Sequence, residues 1–306
     1  MRILIVGAGA IGGYFGGRLL EKGMDVTFLV REKRKQQLEK YGLRVESVHG
    51  EMAFPGPKTI QAGEEADSFD VILLSTKAYH LAGAIRDIRP YTDSNTMILP
   101  LLNGIAHMDQ LTAAFREENV LGGLCFIETT LGENGKVVHT SPVHDLVFGE
   151  RSGEKTERIL KLHEAFSGTK ANLRLSENIE QEMWHKYLFI STLSGVTSLF
   201  RSPIGPIREQ AFGMDSVKEV LKEASAIMRG LGAPLAEGIE ETQVSKIREM
   251  GYEMKSSLQR DMEKGQAIEA DHFFGYLLEK ADILDLSAPV IGAIYANLKV
   301  YEKNSL

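Results

Sequence analysis

The stretch MRILIVGAGAIGGYFGG at the start of the chain constrains its fold more than any other. Ile3 to Val6 form a continuous apolar run, as a strand buried on both faces requires. The run leads into Gly7-Ala8-Gly9-Ala10-Ile11-Gly12, the spacing GxGxxG, and then into Gly13 to Leu20, which reads as helix. Each glycine has a physical task. Gly7 permits the tight turn out of the strand, Gly9 lets the backbone approach a pyrophosphate, and Gly12 allows close packing of helix on sheet. The helix start offers unpaired N–H groups and the positive end of its dipole to phosphates. Gly7, Ala8, Gly9, Ala10, Ile11 and Gly12 are therefore candidate cofactor-binding residues. A strand before the motif and a helix after it distinguish it from a glycine-rich turn that binds nothing.

Asp25 to Val30 (DVTFLV) reads as the second strand, and the residue at its tip selects the cofactor. An acidic residue there accepts hydrogen bonds from the adenosine ribose and suits NAD, whereas a cation suits the extra phosphate of NADP. This chain has Arg31, followed by Lys33 and Arg34. A guanidinium can pair bidentately with phosphate, so the reading favours NADP(H). Glu32 keeps NAD(H) open, because a one-residue shift of the loop would place it at the ribose.

With 306 residues the chain is long enough for two domains. A net charge of −7 argues against nucleic acid as the main partner, since no basic stripe can cover phosphates. The lone cysteine, Cys125, lies in the apolar stretch LGGLCFI and reads as a buried, inert thiol in a reducing compartment. The first residues already form a needed strand, so no signal segment is expected. No apolar run is long enough to span a bilayer, and no histidine spacing suggests a metal site. These features describe a soluble, cytoplasmic protein without membrane or metal partners.

Strand and helix then alternate. Leu43 to Val48 and Glu51 to Phe54 read as a hairpin around His49-Gly50. Phe69 to Thr76 is a buried strand followed by Lys77, and Thr96 to Leu102 is another, followed by Asn103-Gly104. Val120 to Ile127 is one more, and Lys136 to His139 and Leu146 to Gly149 read as short strands. Alternation of this kind predicts a mainly parallel sheet. Ligands of such sheets bind at the carboxyl ends of the strands, where Arg31, Lys77 and Asn103 fall. From about Glu177 the texture changes to long apolar helices, with further helices over roughly 208–231, 238–264, 267–285 and 289–303. The boundary is placed between a first domain over 1–176 and a second over 177–306. Apolar helical surface in the second could serve a homodimer or simply the core.

Over nearly its full length the chain resembles the ketopantoate reductase (2-dehydropantoate 2-reductase) family. The resemblance rests on GAGAIGGYFG, Arg31, Ser75-Thr76-Lys77-Ala78-Tyr79, Leu102-Asn103-Gly104, Trp184-His185-Lys186, Ser256-Ser257-Leu258-Gln259-Arg260-Asp261, Ile268-Glu269-Ala270-Asp271 and Gly275. It implies an α/β N-terminal Rossmann-like domain with a mainly parallel sheet, followed by an all-α C-terminal domain. The implied reaction is hydride transfer from NADPH to the 2-oxo carbon of ketopantoate, giving pantoate for pantothenate and coenzyme A synthesis. Lys186 is implied as general acid, Glu269 as holder of the substrate hydroxyl, and Ser257 as a partner of the carboxylate. Asn103 is implied beside nicotinamide and substrate, and Lys77 near both. Residue types agree with this chemistry. Hydride addition turns the carbonyl oxygen into an alkoxide, which needs a proton or a cation at hydrogen-bond distance, and an ammonium supplies both.

The pattern breaks one and two helical turns beyond Lys186. Where the family typically carries asparagines facing the substrate, this chain has Ile190 and Ser194. Isoleucine cannot donate a hydrogen bond, while serine can donate and accept. Three readings stand: a weaker ketopantoate reductase, a reductase of a different and more apolar 2-oxo acid with Ile190 lining its pocket, or a non-catalytic NADP-binding protein. Trp184 reads as a packing anchor, and His185 and His272 as surface or satisfied core histidines.

Overall fold

The computed structural model describes residues 1–305. The chain divides into two compact units, one of residues 1–103 and 107–179, the other of 104–106 and 180–306.

The first unit carries β1 (Arg2–Val6), α1 (Ala10–Glu21), β2 (Asp25–Leu29), α2 (Glu32–Tyr41), β3 (Leu43–Ser47), β4 (Met52–Phe54), β5 (Lys58–Ile60) and β6 (Val71–Leu74). It continues with α3 (Leu81–Ile88), β7 (Met97–Pro100), α4 (Ala106–Ala114), β8 (Gly122–Leu131), β9 (Val137–Gly149), α5 (Glu157–Phe166) and β10 (Asn172–Leu175). The strands form two sheets rather than one. The first is wholly parallel in the order β5-β2-β1-β6-β7. The second runs β10-β9-β3-β4, with β8 antiparallel to β9.

Two expectations change here. The short strands expected over 136–139 and 146–149 are one continuous strand, β9, because β8 pairs with it along both halves across an irregularity between Ile127 and Thr129. The three-residue β5 carried too little apolar pattern to be foreseen.

Glycines explain why α1 can lie between the two sheets. A side-chain carbon at Gly12 would sit 2.1 Å from the Gly7 carbonyl oxygen, and one at Gly16 would sit 2.6 Å from the Phe28 ring, on the first sheet. The equivalent atom at Gly13 would meet Val137 at 2.8 Å, and at Gly17 would meet Met52 at 3.3 Å, on the second. Residues four apart share a helix face, so 12/16 serve one sheet and 13/17 the other. Tyr14, Phe15 and Leu19 of the same helix are fully buried, and the core gathers around them.

On the second-sheet side α1 also carries Arg18, only 1% exposed. Its guanidinium bonds Glu21, Ser47 Oγ and the carbonyls of His49 and Gly50. Beside it stand three imidazoles. The His49 and His144 rings stack at 3.8 Å, and His139 lies parallel to His144 at 5.8 Å. Tyr14 Oη lies 2.6 Å from His144 Nδ1, and Ser47 Oγ 2.9 Å from His139 Nδ1. Burial, then the neighbouring charges of His49, His139 and Arg18, push His144 down to about 4.

The second unit is helical: α6 (Ile179–Phe200), α7 (Ile204–Glu209), α8 (Gly213–Gly230), α9 (Ile239–Glu249), α10 (Ser257–Glu263), a π-helical turn (Asp271–Gly275), α11 (Tyr276–Ile283) and α12 (Pro289–Ser305). The helices expected over 208–231 and 238–264 are each broken. The first breaks where Phe212 takes a left-handed conformation (φ 64°), and the second stops at Glu249 and resumes only where the Ser256 hydroxyl starts α10 by accepting from Gln259 N at 3.1 Å. Residues 191–198 of α6 are all buried. Hydroxyls along it bond its own backbone: Ser191 donates to the Tyr187 carbonyl at 2.5 Å, Thr192 to Leu188 at 2.8 Å, and Thr197 to Leu193 at 2.7 Å. Glu223 of α8 receives the backbone N–H groups of Val290 and Ile291 at 3.0 and 2.8 Å, capping α12. No helix among the described residues is long and apolar enough to cross a membrane.

Candidate functional site

In the first unit the parallel register brings four strand ends to one edge. Gly7 N bonds the Leu29 carbonyl, Ser75 N bonds Val6, and Leu101 N bonds Leu74, so β2, β1, β6 and β7 finish side by side. The residues just beyond them are Arg31, the glycine loop, Lys77 and Asn103. Sequence order spreads these groups from Gly7 to Asn103; sheet order makes them a row.

The glycine loop has the form a pyrophosphate needs. Gly7 adopts φ 89°, in the left-handed region. Nothing lies within 4 Å of where a Gly9 side chain would project, so the backbone there is open to a close-packed ligand. Gly9 is the N-cap of α1 and no side chain caps that end, leaving N–H groups directed outward. Ser75 Oγ lies 3.1 Å from both the Val6 and Gly7 carbonyl oxygens, fixing the turn from below. The loop thus fits the nicotinamide dinucleotide expected from the motif.

At the tip of β2, Arg31 is the exposed N-cap of α2. Burial, then the charge of Arg31, lowers the His80 pKa from the usual imidazole value. Glu32, the alternative ribose acceptor, takes hydrogen bonds from Gln36 Nε2 at 2.5 Å and Gln61 Nε2 at 3.0 Å. Arg34 plays a part the sequence did not reveal. Its Nε donates to the Ala8 carbonyl at 2.8 Å, so it braces the glycine loop from α2, and its burial lowers its pKa. The tight turn at Gly135 is seated on the same guanidinium, since a side chain there would overlap Arg34 Nη1. Lys77 is exposed at the start of a short 3₁₀ turn, and Asn103 is half-buried. Cys125 is buried, its thiol 3.9 Å from the Leu101 carbonyl oxygen.

In the second unit Lys186, Ile190 and Ser194 follow one another at four-residue steps along α6 and share a face. Lys186 is only 7% exposed, Ser194 is buried and Ile190 half-buried. Glu269 is half-buried and stands two residues before the start of the π-helical turn, and its carbonyl accepts from Phe273 N at 3.1 Å. Of the serine pair, Ser256 is buried and 2.9 Å from Thr197 Oγ1, while Ser257 is exposed at the first position of α10. Trp184 stacks obliquely against Tyr187 with 6.2 Å between centroids. His185 Nε2 accepts from Ala236 N at 3.0 Å, and burial holds its pKa low, which makes it a neutral structural tie. Among the described residues no group of histidine, cysteine and carboxylate side chains is arranged to hold a metal ion.

Comparison with known proteins gives this arrangement a family. Residues 3–153 match the profile of ketopantoate reductase PanE/ApbA, and residues 178–302 match that of its C-terminal domain. The chain is 49% identical over 302 residues to YkpB, an uncharacterized oxidoreductase of Bacillus subtilis, covering 99% of both chains. Its fold superposes on 2-dehydropantoate 2-reductase from Geobacter metallireducens with a TM-score of 0.88 and 28% identity, covering 98% of this chain and 99% of that one. At 22% identity and a TM-score of 0.89, D-mandelate dehydrogenase in a ternary structure with NADH and anilino(oxo)acetate shares the fold over 100% of this chain and 99% of its own.

Proposed function

The chain belongs to the ketopantoate reductase family of oxidoreductases, and from that premise we propose that it reduces a 2-oxo acid with NADPH, ketopantoate being the first substrate to test. The product would be pantoate, for pantothenate and coenzyme A synthesis in the cytoplasm. The observation that carries the reading is Lys186. It is a buried lysine on the face of α6 that also carries Ile190 and Ser194. A lysine there can supply both the positive charge and the proton that an alkoxide formed by reduction requires.

Gly7, Ala8, Gly9, Ala10, Ile11 and Gly12 would hold the pyrophosphate through backbone N–H groups, and Arg31 the 2′-phosphate. Bound NADPH supplies the hydride. Lys186 donates the proton to the carbonyl oxygen as it becomes an alkoxide. Glu269 accepts a hydrogen bond from the substrate hydroxyl, and Ser257 donates to the carboxylate. Asn103 and Lys77 orient the substrate against the nicotinamide, a positioning contribution. NADPH over NADH is supported by the exposed Arg31 at the tip of β2 and by the engagement of Glu32 with Gln36 and Gln61.

A second reading has its own observation. Ile190 presents a half-buried apolar side chain one turn beyond Lys186, which suits a 2-oxo acid with an apolar or aromatic substituent. The likeness in fold to D-mandelate dehydrogenase, whose ternary structure contains NADH and anilino(oxo)acetate, is in keeping with the same class. Initial rates of NADPH and NADH oxidation across ketopantoate, aliphatic 2-oxo acids and phenylglyoxylate decide between the readings. A clear preference for ketopantoate ends the apolar-substrate reading, and absence of turnover on every 2-oxo acid despite tight NADPH binding ends both.

A further inference from the structure

We propose that His272 is a positioning residue for the loop that carries Asn103, held in place by the π-helical turn Asp271–Gly275. The inference rests on the roles given above to Asn103 and Glu269. Gly104, the residue bonded to Asn103, adopts φ 79° and packs with the helical unit. A side-chain carbon on it would lie 3.0 Å from Nε2 and 3.1 Å from Cδ2 of His272. The edge of the imidazole is therefore seated directly on the Gly104 backbone, and a side chain there would require the ring to give by a few tenths of an ångström.

The ring is itself fixed. His272 is buried, three residues beyond Glu269, and its neighbours in the turn are tied on both sides. Before it, Asp271 accepts from Tyr295 Oη at 2.6 Å and from Lys299 Nζ at 3.1 Å. After it, the Phe273 carbonyl accepts at 2.5 Å from the hydroxyl of Tyr187, the fully buried neighbour of Lys186 on α6. Three consecutive residues thus engage α12, the Gly104 backbone and α6. Irregular π turns of this kind cluster at functional sites. A displacement of about 1 Å in a substrate-orienting group can cost on the order of 10²-fold in rate, so a wedge that removes slack from a glycine-containing loop acts on turnover through Asn103.

A double-mutant cycle tests this. Wild type, His272→Ala, Asn103→Ala and the double variant are compared by kcat/KM for the best 2-oxo acid and, independently, by NADPH affinity from nucleotide fluorescence. Thermal midpoints confirm folding, and His272→Gln serves as the conservative variant if the alanine fails to fold. The expected result is about a ten-fold loss of kcat/KM for His272→Ala alone and less than about a two-fold further loss when Asn103 is already alanine. Losses that simply multiply, or a lowered midpoint with unchanged kinetics, overturn the proposal. If the wild type turns over no 2-oxo acid, the substrate reading fails separately. The same cycle in NADPH affinity then decides whether His272 acts through Asn103, with multiplying losses again overturning it.

Discussion

The two units present their candidate residues by different means. In the first unit the groups that would meet the cofactor are largely backbone: a left-handed glycine, an uncapped helix start, and strand ends set level by a parallel register. In the second they are side chains, and what places them is helix periodicity together with one irregular turn. Backbone devices tolerate little variation because an added atom collides. At Gly12 a single carbon would lie 2.1 Å from the Gly7 carbonyl oxygen. Side-chain devices can be exchanged one by one. A family can accordingly hold its cofactor site fixed while its substrate site drifts.

That division is tested most severely at Lys186. Lys186→Ala is expected to lower kcat by a factor on the order of 10² or more while leaving NADPH affinity within about two-fold, as read by steady-state kinetics and nucleotide fluorescence. Parallel losses in both would erase the distinction between the units.

Acid should separate them next. His144 is held at about 4 by burial and by His49, His139 and Arg18, with Asp145 opposing weakly and Tyr14 bonded to its ring. An unfolded chain takes up this proton near 6.5. The contribution is therefore complete above that pH, is lost as pH falls toward 4, and changes little below. Its size is on the order of 2–3 kcal/mol. Thermal midpoints between pH 7 and 4 should fall, and His144→Phe, which keeps the ring stack without the titration, should flatten the profile. An unchanged slope in that variant would falsify the assignment.

Smaller effects sharpen the contrast. Arg31→Ala should reduce the preference for NADPH over NADH by roughly ten- to a hundred-fold, the worth of a charge-assisted contact, with kcat on saturating NADPH nearly unchanged. Ile190→Asn is expected to alter only the substrate ranking. It should improve ketopantoate several-fold relative to apolar 2-oxo acids, or, if ketopantoate is already preferred, change neither.

How much of this was legible follows the same line. The strand–glycine–helix start, the β6 and β7 strands and the residues after them could be read directly, because apolar runs and glycine spacing are local signals. The paired glycines Gly12/Gly13 and Gly16/Gly17 also carried, at four-residue spacing, a sign of a helix packed on two faces, yet only Gly12 was given such a task and the second sheet went unforeseen. The histidine triad was invisible because His49, His139 and His144 come from strands and turns brought together only by β3 pairing with β9. Arg34 looked like one more phosphate-facing cation. Only the geometry turns it onto Ala8. The break at Phe212 ran against propensity, since an aromatic residue seldom adopts a left-handed backbone.

The strand order of the first sheet has one more consequence, for behaviour at high concentration. An unpaired strand edge is a template on which another chain can continue the ladder. Here one edge is the three-residue β5, preceded by Pro55 and Pro57 and carrying Lys58 paired with Asp25 at 2.7 Å. The other edge, β7, ends in Pro100 and is partly covered where Leu121 N bonds the Ile98 carbonyl at 2.9 Å. Too short on one side and already occupied on the other, this sheet gives a second copy no continuous ladder to extend. Its four buried strands, β1, β2, β6 and β7, can therefore be as apolar as the core demands without recruiting neighbours into aggregates.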